Sequence, residues 1–186
     1  MENKRNLQLY WTRLTHEDWN IHLAATSEGI CYVGSLNQPF EELTNWSAVR
    51  FKGSTLIRDD EKLQPYVTEL IEYLQGSSKS FKLPFDYAGT PFQVAVWKAL
   101  CSIPYGQTKS YSDIAIQIKK PAAVRAVGTA IGANPLLITI PCHRVIGKNG
   151  ALTGYRGGLD MKTKLLQLER KDVYDEGGIQ HGKFSH

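Results

Sequence analysis

One stretch of the chain pairs a nucleophile with a base. Cys142 is followed by His143 within Ile138-Thr139-Ile140-Pro141-Cys142-His143-Arg144-Val145-Ile146-Gly147. A cysteine attacks as its thiolate, and an ordinary pKa of about 8.5 leaves it mostly protonated near neutrality. A histidine can take that proton if a third group orients it. Glu169 fits the third role, because it follows Leu165, Leu166 and Leu168 and a packed helix would hold it. Pro141 fixes its own φ and biases Ile140 towards extended backbone, so the β-branched run leads into a rigid bend at Cys142. Set against this is the plainer reading of a free cysteine as a small buried hydrophobe, which is the reading given to Cys31 and Cys101.

The remaining composition narrows the setting. Three cysteines are an odd number, no CxxC occurs, and no histidine stands at a zinc-finger spacing from a cysteine. Neither a disulfide framework nor a metal site is expected, and a reducing, cytoplasmic location fits. No apolar run approaches the roughly 20 residues of a membrane helix, and the N-terminus has no apolar signal core. The net charge of +4 is unevenly spread. Residues 91–170 hold eleven Lys/Arg and three Asp/Glu, a net +8, whereas residues 1–90 hold nine and twelve, a net −3. A basic second half suits an anionic partner, most simply nucleic acid, although a solvated basic face would look the same.

The elements that must position the reactive pair are legible in part. Trp19, Ile21, Leu23 and Ala25 alternate with polar residues as in a half-buried strand, Ser27-Glu28-Gly29 marks a turn, and Ile30–Val33 is the returning strand. One helix is predicted in the first 85 residues, over 62–75, with Leu63, Val67, Leu70, Ile71 and Leu74 on one face and Gly76 as its stop. Pro65 fits only in its first turn. Phe81 to Tyr87 reads as a short strand. Thr90-Pro91-Phe92-Gln93 is a helix start with a capping box, and that helix runs to about Ser102. Ser110 caps a helix over 111–118, with Asp113 at the capping-box position. Lys119-Lys120-Pro121 turns, and Ala122 to Ile131 is a second short helix. Two short helices and a tight turn in a basic region suggest a helix-turn-helix, with Ala122, Ala123, Ala126 and Ala130 small enough for close approach.

The segments "GTPFQVAVWKAL", "IPYGQTKSY", "VRAVGTAIGANP" and "IPCHRVIGKNGALTGYRGGLDMKTKLLQLE" follow one another at spacings that closely resemble the O6-alkylguanine-DNA alkyltransferases. The resemblance is specific over residues 89–169 and looser before them. It implies an α+β chain: a small ribonuclease H-like α/β supporting domain over 1–88 and a mostly helical, winged helix-turn-helix alkyltransferase domain over 89–171; the tail over 172–186, rich in Gly and His, is expected to be disordered on its composition. Cys142 matches the alkyl acceptor, His143 the base that acts on it through a water, and Glu169 the carboxylate that orients the histidine. Asn134 matches an asparagine bracing the helix-turn-helix against the site. Tyr111 matches a tyrosine that rotates the target's 3′ phosphate and contacts the base, and Arg125 an arginine that enters the stack where the guanine was. Ala126 falls on the DNA-facing helix, Val145 and Cys142 offer backbone groups to the guanine edge, and Tyr155 and Arg156 lie in the loop that closes over the base.

The implied activity is transfer of an alkyl group from O6-alkylguanine, and from O4-alkylthymine, in double-stranded DNA to the protein's own cysteine, once per molecule and without a cofactor. The chain is expected to act as a cytoplasmic, nucleoid-associated monomer with no membrane partner. Arginine at position 156 resembles the adaptive-response branch, where many members carry alanine or serine. It would add a phosphate or base contact, or narrow the pocket. Two rival classes share parts of this pattern: a non-catalytic binder of alkylated guanine, whose cysteine position is commonly tryptophan, and a plain helix-turn-helix regulator.

Overall fold

The alternation at Trp19–Ala25 (β2) builds a strand, and its partner in a long antiparallel hairpin is Gln8–His16 (β1). The sequence reading passed over β1 because Tyr10 and Trp11 are adjacent and both half-buried, so its apolar residues do not alternate. Ile30–Val33 (β3) returns antiparallel to β2, as expected. The chain then crosses through Glu41–Arg50 (α1) to Thr55–Arg58 (β4), which pairs parallel to β1 and completes a sheet of order β3-β2-β1-β4. This computed structural model describes residues 7–177, with side chains described to Lys171.

The first half therefore holds two helices rather than one. Helix α1 escaped notice because only Leu43 and Ser47 are buried along it and no side chain caps its start. Asp60–Leu74 (α2) begins earlier than predicted, since Asp59 caps it by accepting from the Lys62 amide. That places Pro65 at the sixth helical position instead of the first turn. Its absent N–H leaves the Glu61 carbonyl without a helical donor. Gly76, at φ +79, ends α2 as expected. The Ser77 amide bonds the Glu72 carbonyl at 2.9 Å and the Gly76 amide that of Tyr73 at 3.0 Å, a Schellman closure. Phe81–Tyr87 is not a strand. Pro84 interrupts it, and only Phe85 bridges to Ile30.

The second half matches its reading closely. Pro91–Cys101 (α3) starts at a Thr90/Gln93 capping box, and Tyr111–Gln117 (α4) starts at a Ser110/Asp113 one. Val124–Gly132 (α5) begins two residues later than expected, because Lys119 at φ +61 and the following turn occupy the residues up to Ala123. Helices α3, α4 and α5 pack on one another, and Trp97 Nε1 donates to the Ala130 carbonyl at 2.8 Å. Lys109–Ser110 (β5) and Val145–Ile146 (β6) form a short parallel ladder beside them. Leu159–Gly177 (α6) closes the described chain. It continues through 172–177, where a disordered tail was expected, and 178–186 lie outside the described residues.

One core joins the halves. Leu14, Ile21, Leu23, Leu63 and Leu70 from the sheet and α2 pack with Val96, Trp97, Leu100, Val127, Ile140 and Leu165. The end of β3 docks directly on the segment leading to Cys142, with the Val33 amide on the Pro135 carbonyl at 2.9 Å. A smaller cluster of Leu9, Ala24, Cys31, Tyr32 and Leu43 lies apart from that core. Cys31 is buried there as predicted, but Cys101 is exposed. Cys101 is the last residue of α3, where the buried face has already turned away.

Candidate active site

The β-branched run before Cys142 is a buried turn rather than extended chain. Ile138 adopts φ +68, a left-handed geometry that costs a β-branched residue about 1–3 kcal/mol. Asn134 fastens this turn from inside. Its amide Nδ2 donates to the carbonyls of Leu136 and Ile140, each at 3.3 Å, and to Cys142 Sγ at 3.2 Å. Its Oδ1 accepts from the Leu136 amide at 2.9 Å. Cys142 then opens a single 3-10 turn, Cys142–Arg144, that aims three consecutive side chains into the protein.

His143 and Arg144 converge on Glu169 from α6. His143 Nε2 stands 2.8 Å from Glu169 Oε1, while Arg144 donates Nε to both carboxylate oxygens at 3.0 Å and Nη2 to Oε1 at 2.6 Å. Arg144 Nη1 also donates to the Ile103 carbonyl at 2.7 Å. Tyr73 adds its hydroxyl to Glu169 Oε1 at 2.7 Å. Burial alone would raise the Glu169 carboxyl, but the bonds and charges of His143 and Arg144 hold it down at about 2. Glu169 is therefore a fixed anion. Burial pushes the His143 imidazole below its usual range, against the opposing pull of Glu169. With Nε2–H committed to the carboxylate, Nδ1 is the free base. It is buried and has no hydrogen-bond partner among the described residues. Burial also pushes the Cys142 thiol up, with Asn134, Arg156 and Lys162 opposing, so the resting group is a thiol.

Cys142 opens on a cavity of about 490 Å³ lined by Tyr111, Gly128, Ile131, Gly132, Gly154, Tyr155 and Arg156, a size suited to a small flat ligand. The Tyr155 hydroxyl is buried without a partner among the described residues. The Tyr111 hydroxyl bonds Thr153 Oγ1 at 2.7 Å, which ties α4 to the loop opposite. Gly157 keeps that loop close, since a Cβ there would come within 2.8 Å of the Tyr155 ring.

Some expected site residues sit elsewhere. Arg125 and Ala126 are exposed on α5 and line a separate surface hollow with Thr90, Gln93 and Thr129. Val145 is buried, is not on the cavity wall, and its carbonyl accepts Lys162 Nζ at 2.6 Å. Arg156 reaches the cavity, but its guanidinium turns away to the carbonyls of Asn134 at 2.8 Å, Val33 at 3.0 Å and Pro135 at 3.3 Å, over the Tyr32 ring. Neither a phosphate nor a base contact matches that orientation. The sequence reading missed Tyr73, Arg144 and Lys162 as parts of the site. For Lys162 a signal existed: Lys162, Leu165, Leu166 and Glu169 fall on one helical stripe, so two charges occupy core positions. Nothing local marks Tyr73, which comes from the other half of the chain.

The described residues contain no helix long and apolar enough to cross a membrane, and no cluster of three or more metal-ligating side chains. A basic helix-turn-helix beside a buried thiol with its own histidine–carboxylate pair defines a DNA-binding protein that does nucleophilic chemistry. The chain belongs to the 6-O-methylguanine DNA methyltransferase family: residues 9–87 match its ribonuclease-like domain and residues 91–171 its DNA-binding domain. It is 64% identical over 163 residues to the inducible methylated-DNA–protein-cysteine methyltransferase of Bacillus subtilis, covering 88% of this chain and 91% of that one. It is 54% identical over 105 residues to the methylated-DNA–protein-cysteine methyltransferase of Methanosarcina barkeri, covering 56% of this chain and 66% of that one. The crystal structure of Mycobacterium tuberculosis OGT in complex with DNA superposes with a TM-score of 0.76 at 37% identity, over 88% of this chain and 94% of that chain.

Proposed function

We propose that this protein repairs DNA by direct reversal, moving an alkyl group from the O6 of guanine in duplex DNA to Cys142 Sγ, once per molecule. The observation that carries this reading is the buried Nδ1 of His143, left without a partner among the described residues in the residue that follows Cys142, with Nε2 fixed on Glu169 at 2.8 Å. The names of the relatives support the reaction class. The alkylated guanine leaves the stack and enters the cavity, at a cost of a few kcal/mol. Arg125, exposed on α5, fills the gap in the duplex and offsets part of that cost. His143 Nδ1 takes the thiol proton through a water. The thiolate attacks the alkyl carbon, the C–S bond forms, and the C–O6 electron pair returns to guanine. Tyr111, on the cavity wall, supplies a proton to the departing base once its hydroxyl leaves Thr153. The thioether product does not hydrolyse, and neither Cys31 nor Cys101 lines the cavity to resolve it.

The division of labour follows: residues 1–88 as the supporting domain and 89–171 as the reacting one, acting as a monomer. O4-alkylthymine is a second substrate. The protein acts in the cytoplasm, on nucleoid DNA. Intact-mass and peptide spectrometry after incubation with a methylated-guanine duplex tests the core claim. One methyl on Cys142 and none on Cys31 or Cys101 is expected, and sustained turnover or methyl elsewhere would overturn it. Arg125→Ala should slow the duplex reaction far more than transfer from the free alkylated base; equal slowing would remove Arg125 from the base-flipping role.

A further inference from the structure

Tyr73 lies in α2, in the half of the chain that carries no reacting group, yet its hydroxyl ends inside the charged cluster behind Cys142. It donates to Glu169 Oε1 at 2.7 Å and stands 3.5 Å from His143 Nε2. The side chain is fully buried, and its ring is pinned by Phe81 at a centroid distance of 5.3 Å and edge-on by Tyr105 at 6.0 Å. We propose that Tyr73 is a positioning residue of the transfer reaction: its donation to Glu169, made beside Nε2, fixes the imidazole and limits how strongly the carboxylate supports it, so that the N-terminal half is a working part of the nucleophile. This rests on Cys142 being the acceptor.

The physical argument is one of shared charge. Glu169 Oε1 takes His143, Arg144 and Tyr73, while Oε2 takes Arg144 Nε and, at 3.4 Å, the Gly106 amide. Every donor draws charge from the carboxylate, and what remains is available to stabilise the imidazolium that forms when the thiol is deprotonated. The groups facing His143 are Glu169 and Lys162 from α6, Arg144 from its own turn, and Tyr73 from α2. Tyr73 in turn faces Glu169, Arg144, and Tyr105 from the loop before α4. Burial pushes the Tyr73 phenol far above its usual range, so it remains a donor at every pH at which the reaction runs. A hydroxyl present only to fill space would not need both an anion and the ring nitrogen of the base within reach.

The test is the pH profile of single-turnover methyl transfer from a methylated-guanine duplex, using the full chain. Tyr73→Phe leaves more charge on Glu169, so His143 holds a proton more tightly. The acid limb of the profile should move to higher pH, and the plateau should fall by about tenfold because the imidazole is no longer fixed, the rate equivalent of about 1.4 kcal/mol. Incorporating 3-fluorotyrosine at position 73 keeps the shape and strengthens the donor, and the limb should move to lower pH. Tyr66→Phe, two turns earlier in α2, should move neither. Because the fluorinated side chain is nearly isosteric, it decides the matter even where Tyr73→Phe fails to fold. Opposite displacements of the limb establish the role. An unmoved limb in the fluorotyrosine protein, or a Tyr73→Phe protein that loses only melting temperature, overturns it. A wild-type chain that puts no methyl on Cys142 refutes the acceptor assignment instead.

Discussion

Glu169 shows how much a single side chain can carry. Held at about 2 in the folded protein against an ordinary 4.5, it contributes stability that is fully present above the unfolded value. That contribution disappears as pH falls through the window from about 4.5 to about 2, and it amounts to roughly 3 kcal/mol. Urea unfolding at pH 7 and again near pH 3 should therefore show a larger loss for the wild type than for Glu169→Gln, which has no carboxylate to protonate. Equal losses would mean that Arg144 and His143 do not hold the group down. At pH 7 the variant should be the less stable by about 3–5 kcal/mol, because Arg144 is left buried without its anion. Its transfer rate should fall by about 10²–10⁴-fold, the usual range for lost base support.

Among the elements, those that announce themselves by caps were readable in the sequence. Thr90 with Gln93 and Ser110 with Asp113 marked the starts of α3 and α4 to the residue, because a cap is a local bond whose two partners lie three residues apart. Helix α1 and strand β1 were not readable, since their half-buried faces acquire meaning only when the sheet stacks on them. The site followed the same rule. Cys142, His143 and Glu169 are visible as chemistry, whereas Tyr73 reaches Glu169 only through tertiary packing. Arg156 is a third kind of case, for its residue type was noticed and its orientation was not. In the structure it staples the loop over 154–158 to β3 and to the segment after α5. Arg156→Ala should lower stability by about 2 kcal/mol and Tm by roughly 4–8 °C. An unchanged Tm by scanning calorimetry would show that the staple holds nothing.

Over the whole molecule, the charge count separates the halves more sharply than the core does. The net +8 of residues 91–170 implies several phosphate contacts, and each released counterion steepens the salt dependence. Three such contacts alone would weaken duplex binding roughly 40-fold between about 50 and about 200 mM salt. Titration of a fluorescent duplex over that range measures the slope. A flat response, or strong preference for one sequence, would favour a regulator over a repair protein. The contacts that complete the site also have a temporal meaning. Tyr73 meets Glu169 across 96 positions and Arg156 meets Val33 across 123. Bonds spanning such loops require the entropy of closing those loops to be met. Cys142 and His143 are neighbours from the moment the chain is made and Glu169 lies only 26 positions on, but the Tyr73 hydroxyl that bonds this carboxylate arrives only when the first half has docked. The second half folded by itself would present Cys142, His143 and Glu169 without the tyrosine hydroxyl that completes their surroundings.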